Sequence, residues 1–440
     1  MQRQRINGRF FVSMVTGSED IRQTMTIAHI ASGTCSIMRE KKTKLLVVQN
    51  QTMIGERRNG TVRKLRLLST AALLAAVCSA MQVNASEVLQ DVMATYDANT
   101  ENNYRIDYLE EDPYLTNVYE GFGFAKDYTS AIGHSYCLED VSGTARPHPL
   151  ANCLTCKTED FTKLVNELGV DAYKLDFEET FADMKTSVGC YSCHGDEAAD
   201  GTLTVTHSYV EKGLGEQMGD VAPAALACGQ CHIEYYFDPE TKETLMPYTG
   251  IEGMAPEAIL AYYDEMGFSD WTQESTGTGL LKAQHPEFET FMNGSVHAGM
   301  NMTCASCHMA VETNEAGTEF VSHKWESPLA NEKLLETCAA CHKDTDMAEK
   351  VGAIQEEIIA AEKATGESLS ALKTALAEAV AGGEYTEDEL NAIRPLYRSA
   401  QWFWDFCYVE NSEGAHNSAL SKACLAKADE LIAEAMGLFK

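Results

Sequence analysis

Cys153-Leu154-Thr155-Cys156-Lys157 decides how this chain is read. It is one of five C-x-x-C pairs, and histidine follows each of the other four: Cys190-Tyr191-Ser192-Cys193-His194, Cys228-Gly229-Gln230-Cys231-His232, Cys304-Ala305-Ser306-Cys307-His308 and Cys338-Ala339-Ala340-Cys341-His342. C-x-x-C-H is the attachment signature of c-type haem, in which two thioethers anchor the porphyrin and the next residue supplies an iron ligand. One such motif can arise by chance. Four of them, with a fifth that carries lysine in the ligand's place, imply five covalent haems. Structural zinc on paired knuckles would leave the four trailing histidines without a role.

The lysine is the informative departure. An ammonium has no lone pair, so a lysine binds iron only as the neutral amine. Losing that proton near neutral pH costs roughly 4–5 kcal/mol for an ordinary lysine. A metal bond offsets this, because ligation and deprotonation are coupled and the thioether tether makes ligation intramolecular. The bland alternative is a diverged motif whose haem takes a remote histidine.

The chain has 440 residues and a formal charge of −32. Its beginning reads as a leader: Arg57, Arg58, Arg63, Lys64 and Arg66 form a basic region, Leu67 to Met81 a short apolar run, and Val83-Asn84-Ala85 a small-residue cleavage site. This pattern is too short for a transmembrane span. Residues 1–52 are expected to be a non-native extension ahead of a start at Met53, with 53–85 the signal peptide and a periplasmic location for the rest. Residues 1–85 hold 13 of the 34 Lys and Arg and 4 of the 66 Asp and Glu, so the remainder carries 21 basic and 62 acidic residues, a formal charge of −41. Nucleic acid is therefore excluded as a partner. Export also suits the cysteine usage, since disulfides and haem attachment belong outside the cytoplasm. Of fifteen cysteines, ten lie in the motifs and two in the leader, leaving Cys137, Cys407 and Cys424. The last two are a candidate disulfide.

Residues 86–345 are expected to form a loop-rich pentahaem catalytic region, each attachment site starting a short helix and the porphyrins supplying apolar interior. Residues 346–440 change character. Val351, Ile354, Ile358 and Ile359 recur at helical spacing, Gly366 and Gly382-Gly383 punctuate, and Thr386-Glu387-Asp388-Glu389 is a capping box opening a helix towards Tyr408 that kinks at Pro395. A last helix runs from about Ser418 to Leu438. The fold class is mainly α, a multihaem cytochrome c fold whose long C-terminal helices belong to the same domain and suit a dimer interface.

Each C-x-x-C-H haem needs a sixth ligand, and His134, His148, His207, His285, His297, His323 and His416 are available, besides methionine. A haem closed by two protein ligands only passes electrons, whereas one held by Lys157 alone keeps a face open to substrate. The inventory reads as four wires and one reactive centre, with His148 and His207 left as structural.

At this point the chain resembles the pentahaem, ammonia-forming cytochrome c nitrite reductases. The matching text is C-L-T-C-K at 153–157, C-G-Q-C-H-I-E-Y-Y-F at 228–237, F-S-D-W-T at 268–272, L-K-A-Q-H-P-E-F-E at 281–289, V-S-H-K at 321–324 and A-Q-W-F-W-D at 400–405. The resemblance implies His134 as distal ligand of the third haem, His323 of the second, His297 of the fifth and His416 of the fourth. It also implies one Ca²⁺ beside the reactive haem, held by the Glu234 carboxylate, the Gln284 amide oxygen and the carbonyls of Tyr235 and Lys282, hard oxygen donors of the kind calcium prefers. The reactive constellation it implies is Arg146, Tyr235 and His285: a fixed cation for an anionic substrate, a phenolic donor beside calcium, and an imidazole to deliver protons. The implied reaction is reduction of nitrite to ammonium, fed by a quinol-oxidising or soluble cytochrome c donor, in a homodimer. Two features depart from the family pattern: Arg146 lies only eleven residues ahead of Lys157, and Ile132 stands two before His134 where arginine is expected. The competing class is a non-catalytic electron-transfer cytochrome, which would have no use for an open coordination site.

Overall fold

In the computed structural model, residues 87–100 and 105–440 are described. The extension at 1–52 and the signal peptide at 53–85 lie outside them. The described residues divide into two compact units. The larger comprises Ala98–Ala310 and Lys324–Lys440; the smaller holds helix 87–97 and the hairpin within Val311–His323. In the smaller unit, Asn314 Nδ2 donates to Asp91 Oδ2 (2.8 Å) and the His323 amide to Thr95 Oγ1 (2.9 Å). A helix at 87–97 was not anticipated in a stretch with little visible period.

Strands are few and short. Among the described residues three antiparallel pairs occur: β1 (Tyr236–Phe237) with β2 (Thr244–Leu245), β3 (Trp271–Gln273) with β4 (Thr278–Leu280), and β5 (Val311–Thr313) with β6 (Glu319–Val321). Everything else is helix, turn and loop. Among the described residues no helix is long and apolar enough to cross a membrane.

Three long helices close the larger unit: α1 (Met347–Gly382), α2 (Glu387–Tyr408) and α3 (Ser418–Met436). The capping box forms as read, with the Thr386 hydroxyl accepting from the Glu389 amide and the Glu389 carboxylate from the Thr386 amide. The helix passes through Pro395 without ending. Gly366 does not interrupt α1, contrary to the sequence reading. Its missing Cβ makes room for the Tyr114 ring, which a methyl there would meet at 2.5 Å. Gly383, at φ 66°, is the true stop, a left-handed cap that a side chain would strain. Cys407 and Cys424 lie buried on α2 and α3 as neighbouring thiols.

The indoles of α2 are buried, one anchored outside the long helices and the other on α1. Trp402 Nε1 donates to the Pro256 carbonyl and Trp404 Nε1 to that of Glu362, both at 2.9 Å. Asp405 then fixes the segment that carries the reactive motif. It accepts from the Lys282 ammonium (3.0 Å), the Tyr119 hydroxyl (2.5 Å), the Ala283 amide (3.0 Å) and Gln401 Nε2 (3.2 Å). The ammonium also stands over the Phe124 ring at 5.0 Å. The A-Q-W-F-W-D and L-K-A-Q-H-P-E-F-E stretches are thus two halves of one buried polar joint. Removing one partner of a buried ion pair strands the other, a loss of roughly 3–5 kcal/mol. Asp405→Ala is therefore expected to lower the thermal unfolding midpoint of haem-loaded protein markedly, whereas Lys427→Ala, an exposed pairing with Glu430, should leave it nearly unchanged.

Candidate functional site: five attachment turns and the residues between them

Each attachment motif is wound into about one helical turn, which brings the first and fourth residues to the same face and the fifth beneath them. Cys190–His194 and Cys304–His308 are short helices that begin at the motif, as expected. The other three differ. Cys228 and Cys338 sit near the ends of Pro223–Gly229 and Glu332–Ala339, and Cys153 lies in the 3-10 turn Ala151–Leu154. Lys157 closes that turn, its amide donating to the Leu154 carbonyl at 3.0 Å.

The turns stand shoulder to shoulder. The Cys156 and Cys231 sulfurs and a His207 nitrogen lie within 4.8 Å of one another, and the Cys228 and Cys304 side chains also meet. His207 is the hub of this packing and supports its structural reading. Its Nε2 lies 2.9 Å from the Thr155 carbonyl and its amide donates to Gln230 Oε1 (3.3 Å), while Gln230 Nε2 donates to the Ser192 carbonyl (2.6 Å). The variable positions of three motifs are tied together this way. His148, also left as structural, packs on the Phe177 ring at 4.0 Å.

The remaining histidines test whether the chain fits haem iron. A metal held between two imidazoles, with bonds of about 2 Å, needs ring centroids roughly 6 Å apart. His134 and His232 stand 5.9 Å apart, His297 and His342 6.3 Å, and His308 and His416 6.1 Å. These are the pairs expected for the third, fifth and fourth haems, brought together from residues up to 108 positions apart in the chain. Burial pushes His134 down to about 3, aided by His232 and Lys157, which keeps its imidazole in the neutral form a ligand requires. Ring nitrogens facing away from the iron positions have acceptors: Nδ1 of His194 meets the Thr202 carbonyl (2.8 Å), that of His308 the Glu326 carbonyl (3.0 Å), and that of His416 Glu410 Oε1 (2.6 Å). Backing of this kind fixes the tautomer of a metal-bound imidazole. His323 lies in the smaller unit with Nδ1 on the Val321 carbonyl at 3.1 Å. The chain fits the group.

The family model for cytochrome c552 matches residues 83–439. The chain belongs to that family, the ammonia-forming nitrite reductases. Among solved structures it is similar to the catalytic subunit of the cytochrome c nitrite reductase from Desulfovibrio desulfuricans, in which two calcium sites have been described. The identity is 25% and the TM-score 0.70, over 81% of this chain and 85% of that one. It is less similar to the outer cell wall cytochrome OcwA (17% identity, 68% of this chain and 48% of that one, TM-score 0.40). An undecahaem cytochrome from the S-layer of Carboxydothermus ferrireducens aligns at 19% identity over 70% of this chain and 41% of that one, with TM-score 0.35.

Arg146 lies near the lysine motif: its charge favours the ionised forms of both Cys153 and Tyr235. Its Nε donates to Thr144 Oγ1 (2.9 Å) and its guanidinium stands 4.3 Å over Phe124. Burial pushes the Tyr235 phenol well above its ordinary range, so it stays protonated and able to donate. Glu234, fully buried, accepts from the Gln284 amide (2.6 Å) and the Tyr263 hydroxyl (3.0 Å). Gln284 Nε2 in turn donates to the Lys282 carbonyl at 2.9 Å. Burial pushes Glu234 well up and its neighbour Glu289 to about 8. Two buried carboxyls with neutral hydrogen-bond donors are short of positive charge, which fits a cation at the expected oxygens.

Two residues given no role in the sequence reading matter here. Glu410 backs His416, and Glu287 faces both His232 and His285. Glu287 lies inside the quoted K-A-Q-H-P-E, two positions past His285, the one signal that pointed to it. Gly229 also has a stated cause. A Cβ there would meet the Phe288 ring at 2.4 Å, and the Phe288 amide donates to the His232 carbonyl at 3.1 Å. Gly229→Ala is expected to cost about 1–3 kcal/mol through overpacking and to disturb attachment at Cys228 and Cys231 first; peptide mapping of haem on each motif would check this.

Proposed function

We propose that the protein reduces nitrite to ammonium at an iron held by Lys157, using electrons delivered through four bis-histidine haems. Family membership makes it an oxidoreductase of the ammonia-forming cytochrome c nitrite reductase type. The observation that carries the finer reading is Lys157 in the place where four other motifs put histidine, with Arg146 acting electrostatically on the neighbouring Cys153 and on Tyr235.

When bound, haem supplies an iron that takes the substrate on its open face and receives electrons one at a time. The chain's own residues do the rest. Arg146, its Nε engaged by Thr144, presents its terminal amino groups to an anion in an otherwise acidic protein. Tyr235, kept protonated by burial, donates a hydrogen bond to an N–O oxygen. His285 delivers protons as the oxygens leave as water, imidazole being the side chain suited to that task near neutral pH. The sum is one nitrite, six electrons and eight protons to one ammonium and two waters. Calcium at Glu234, Gln284 and the carbonyls of Tyr235 and Lys282 would supply the missing positive charge and hold Tyr235 and His285 in register. Export to the periplasm, a cytochrome or quinol-oxidising donor and a homodimer through the C-terminal helices complete the proposal.

Lys157→His tests the reading most directly, since it restores a nitrogen ligand and changes only its identity. One iron in five is expected to bind added cyanide in the wild type; the variant should retain five haems and lose most of its ammonium formation. Five closed irons by spectroscopy, or electrons consumed without ammonium, would replace this proposal with an electron conduit. Calcium chelation, or Glu234→Ala, is expected to lower nitrite turnover with every haem still attached; unchanged turnover in both would remove calcium from the scheme.

A further inference from the structure

Glu287 occupies a position that the reaction as described does not use. It opens the short helix Glu287–Met292, is buried, and reaches between two imidazoles whose ring centroids are 6.2 Å apart. Its Oε1 lies 3.6 Å from His232 Nδ1 and 3.9 Å from His285 Nδ1. Asn411 Nδ2 donates to the same oxygen and pins it from the segment after α2. The second oxygen, Oε2, and His285 Nδ1 are both buried and have no hydrogen-bond partner. A buried carboxylate with a vacant lone pair beside a buried ring nitrogen lacking an acceptor is a pair that small side-chain motion completes. The backbone already holds the two histidines together, through the Phe288 amide on the His232 carbonyl.

We propose that Glu287 is a positioning residue shared by the electron and proton inputs of the reaction, its carboxylate accepting Nδ1–H from both His232 and His285. Two effects follow from one charge. Towards His232, the anionic acceptor makes the imidazole a stronger donor to the third haem's iron, which favours the oxidised state and holds that haem's potential down. Towards His285, it fixes the proton on Nδ1 and turns the opposite ring nitrogen to the substrate side, the same orienting role a carboxylate plays beside other catalytic imidazoles. The haem that hands over electrons and the imidazole that hands over protons are thereby oriented by one side chain. Only the His285 half rests on the nitrite reading.

The test uses the full haem-loaded protein carrying Glu287→Gln, a near-isosteric loss of charge. Redox titration followed by electron paramagnetic resonance is expected to show the third haem's potential raised and the others unmoved. With nitrite, kcat is expected to fall roughly 10–100-fold, the usual cost of losing such a partner, while KM changes little because Arg146 is untouched. An unmoved potential together with an unchanged kcat overturns the proposal; a general fall in stability without a selective potential shift also overturns it. If Glu287→Gln does not load its haems, Asn411→Ala carries the test, since it leaves the carboxylate and both imidazoles and removes only the donor that pins Oε1. The same two readouts must then move in the same direction by a smaller amount, and their constancy overturns the idea. A wild-type protein that forms no ammonium would sink the nitrite reading alone, because the selective potential shift still decides the His232 half.

Discussion

Imidazole rings held about 6 Å apart are the constraint around which the larger unit is built. Each pair joins a motif histidine to one from elsewhere in the chain, and neither partner tolerates displacement if an iron is to sit between them. A chain that must meet this requirement repeatedly cannot devote its interior to a regular sheet. It supplies single turns, short helices and loops, several of them braced by a side chain or carbonyl on the far side of the ring. The long helices then serve as a buttress. Asp405 grips the segment at Lys282 and Ala283, while the Trp402 indole is anchored on the Pro256 carbonyl and that of Trp404 on α1.

What was legible in the sequence was whatever chemistry is local. Two cysteines and a ligand within five residues declare their product regardless of the fold, and the lysine at 157 is visible as a departure because four siblings set the expectation. The capping box at Thr386–Glu389 and the periodic apolar stripe of α1 are local in the same sense. The sixth ligands were legible only through resemblance, since nothing near His134 or His416 announces a partner about 100 residues away. Glu287 and Glu410 were missed for a physical reason. An acidic residue in a chain this acidic does not reveal its partners until the fold shows what its oxygens face. Gly366 misled for the opposite reason, because a glycine that looks like punctuation is equally a place where another ring comes close.

Charge is handled unevenly across the molecule. The surface carries a large excess of carboxylates, yet the interior admits charge only where it is answered. Lys282 and Asp405 answer each other within aromatic walls. Glu287 is different: burial opposes its ionisation, but the His232 and His285 imidazoles hold its carboxyl well below the usual range. Glu234 and Glu289 are pushed upward instead, because burial opposes their ionisation. One strip of sequence, 282–289, therefore contains an answered charge, an unanswered one and a shared one.

The packing at the variable positions of the motifs bears on how such a chain can change over evolutionary time. Gly229 is pressed against Phe288, Gln230 reaches the Ser192 carbonyl, and the Thr155 carbonyl is bonded to His207. To the fold these three pentapeptides are distinct words. Recombination that exchanged the second motif for the third would set a tyrosine where only a glycine fits. The second and third pentapeptides are therefore not interchangeable in this fold, because the space beside Phe288 and the reach of Gln230 suit only the residues present.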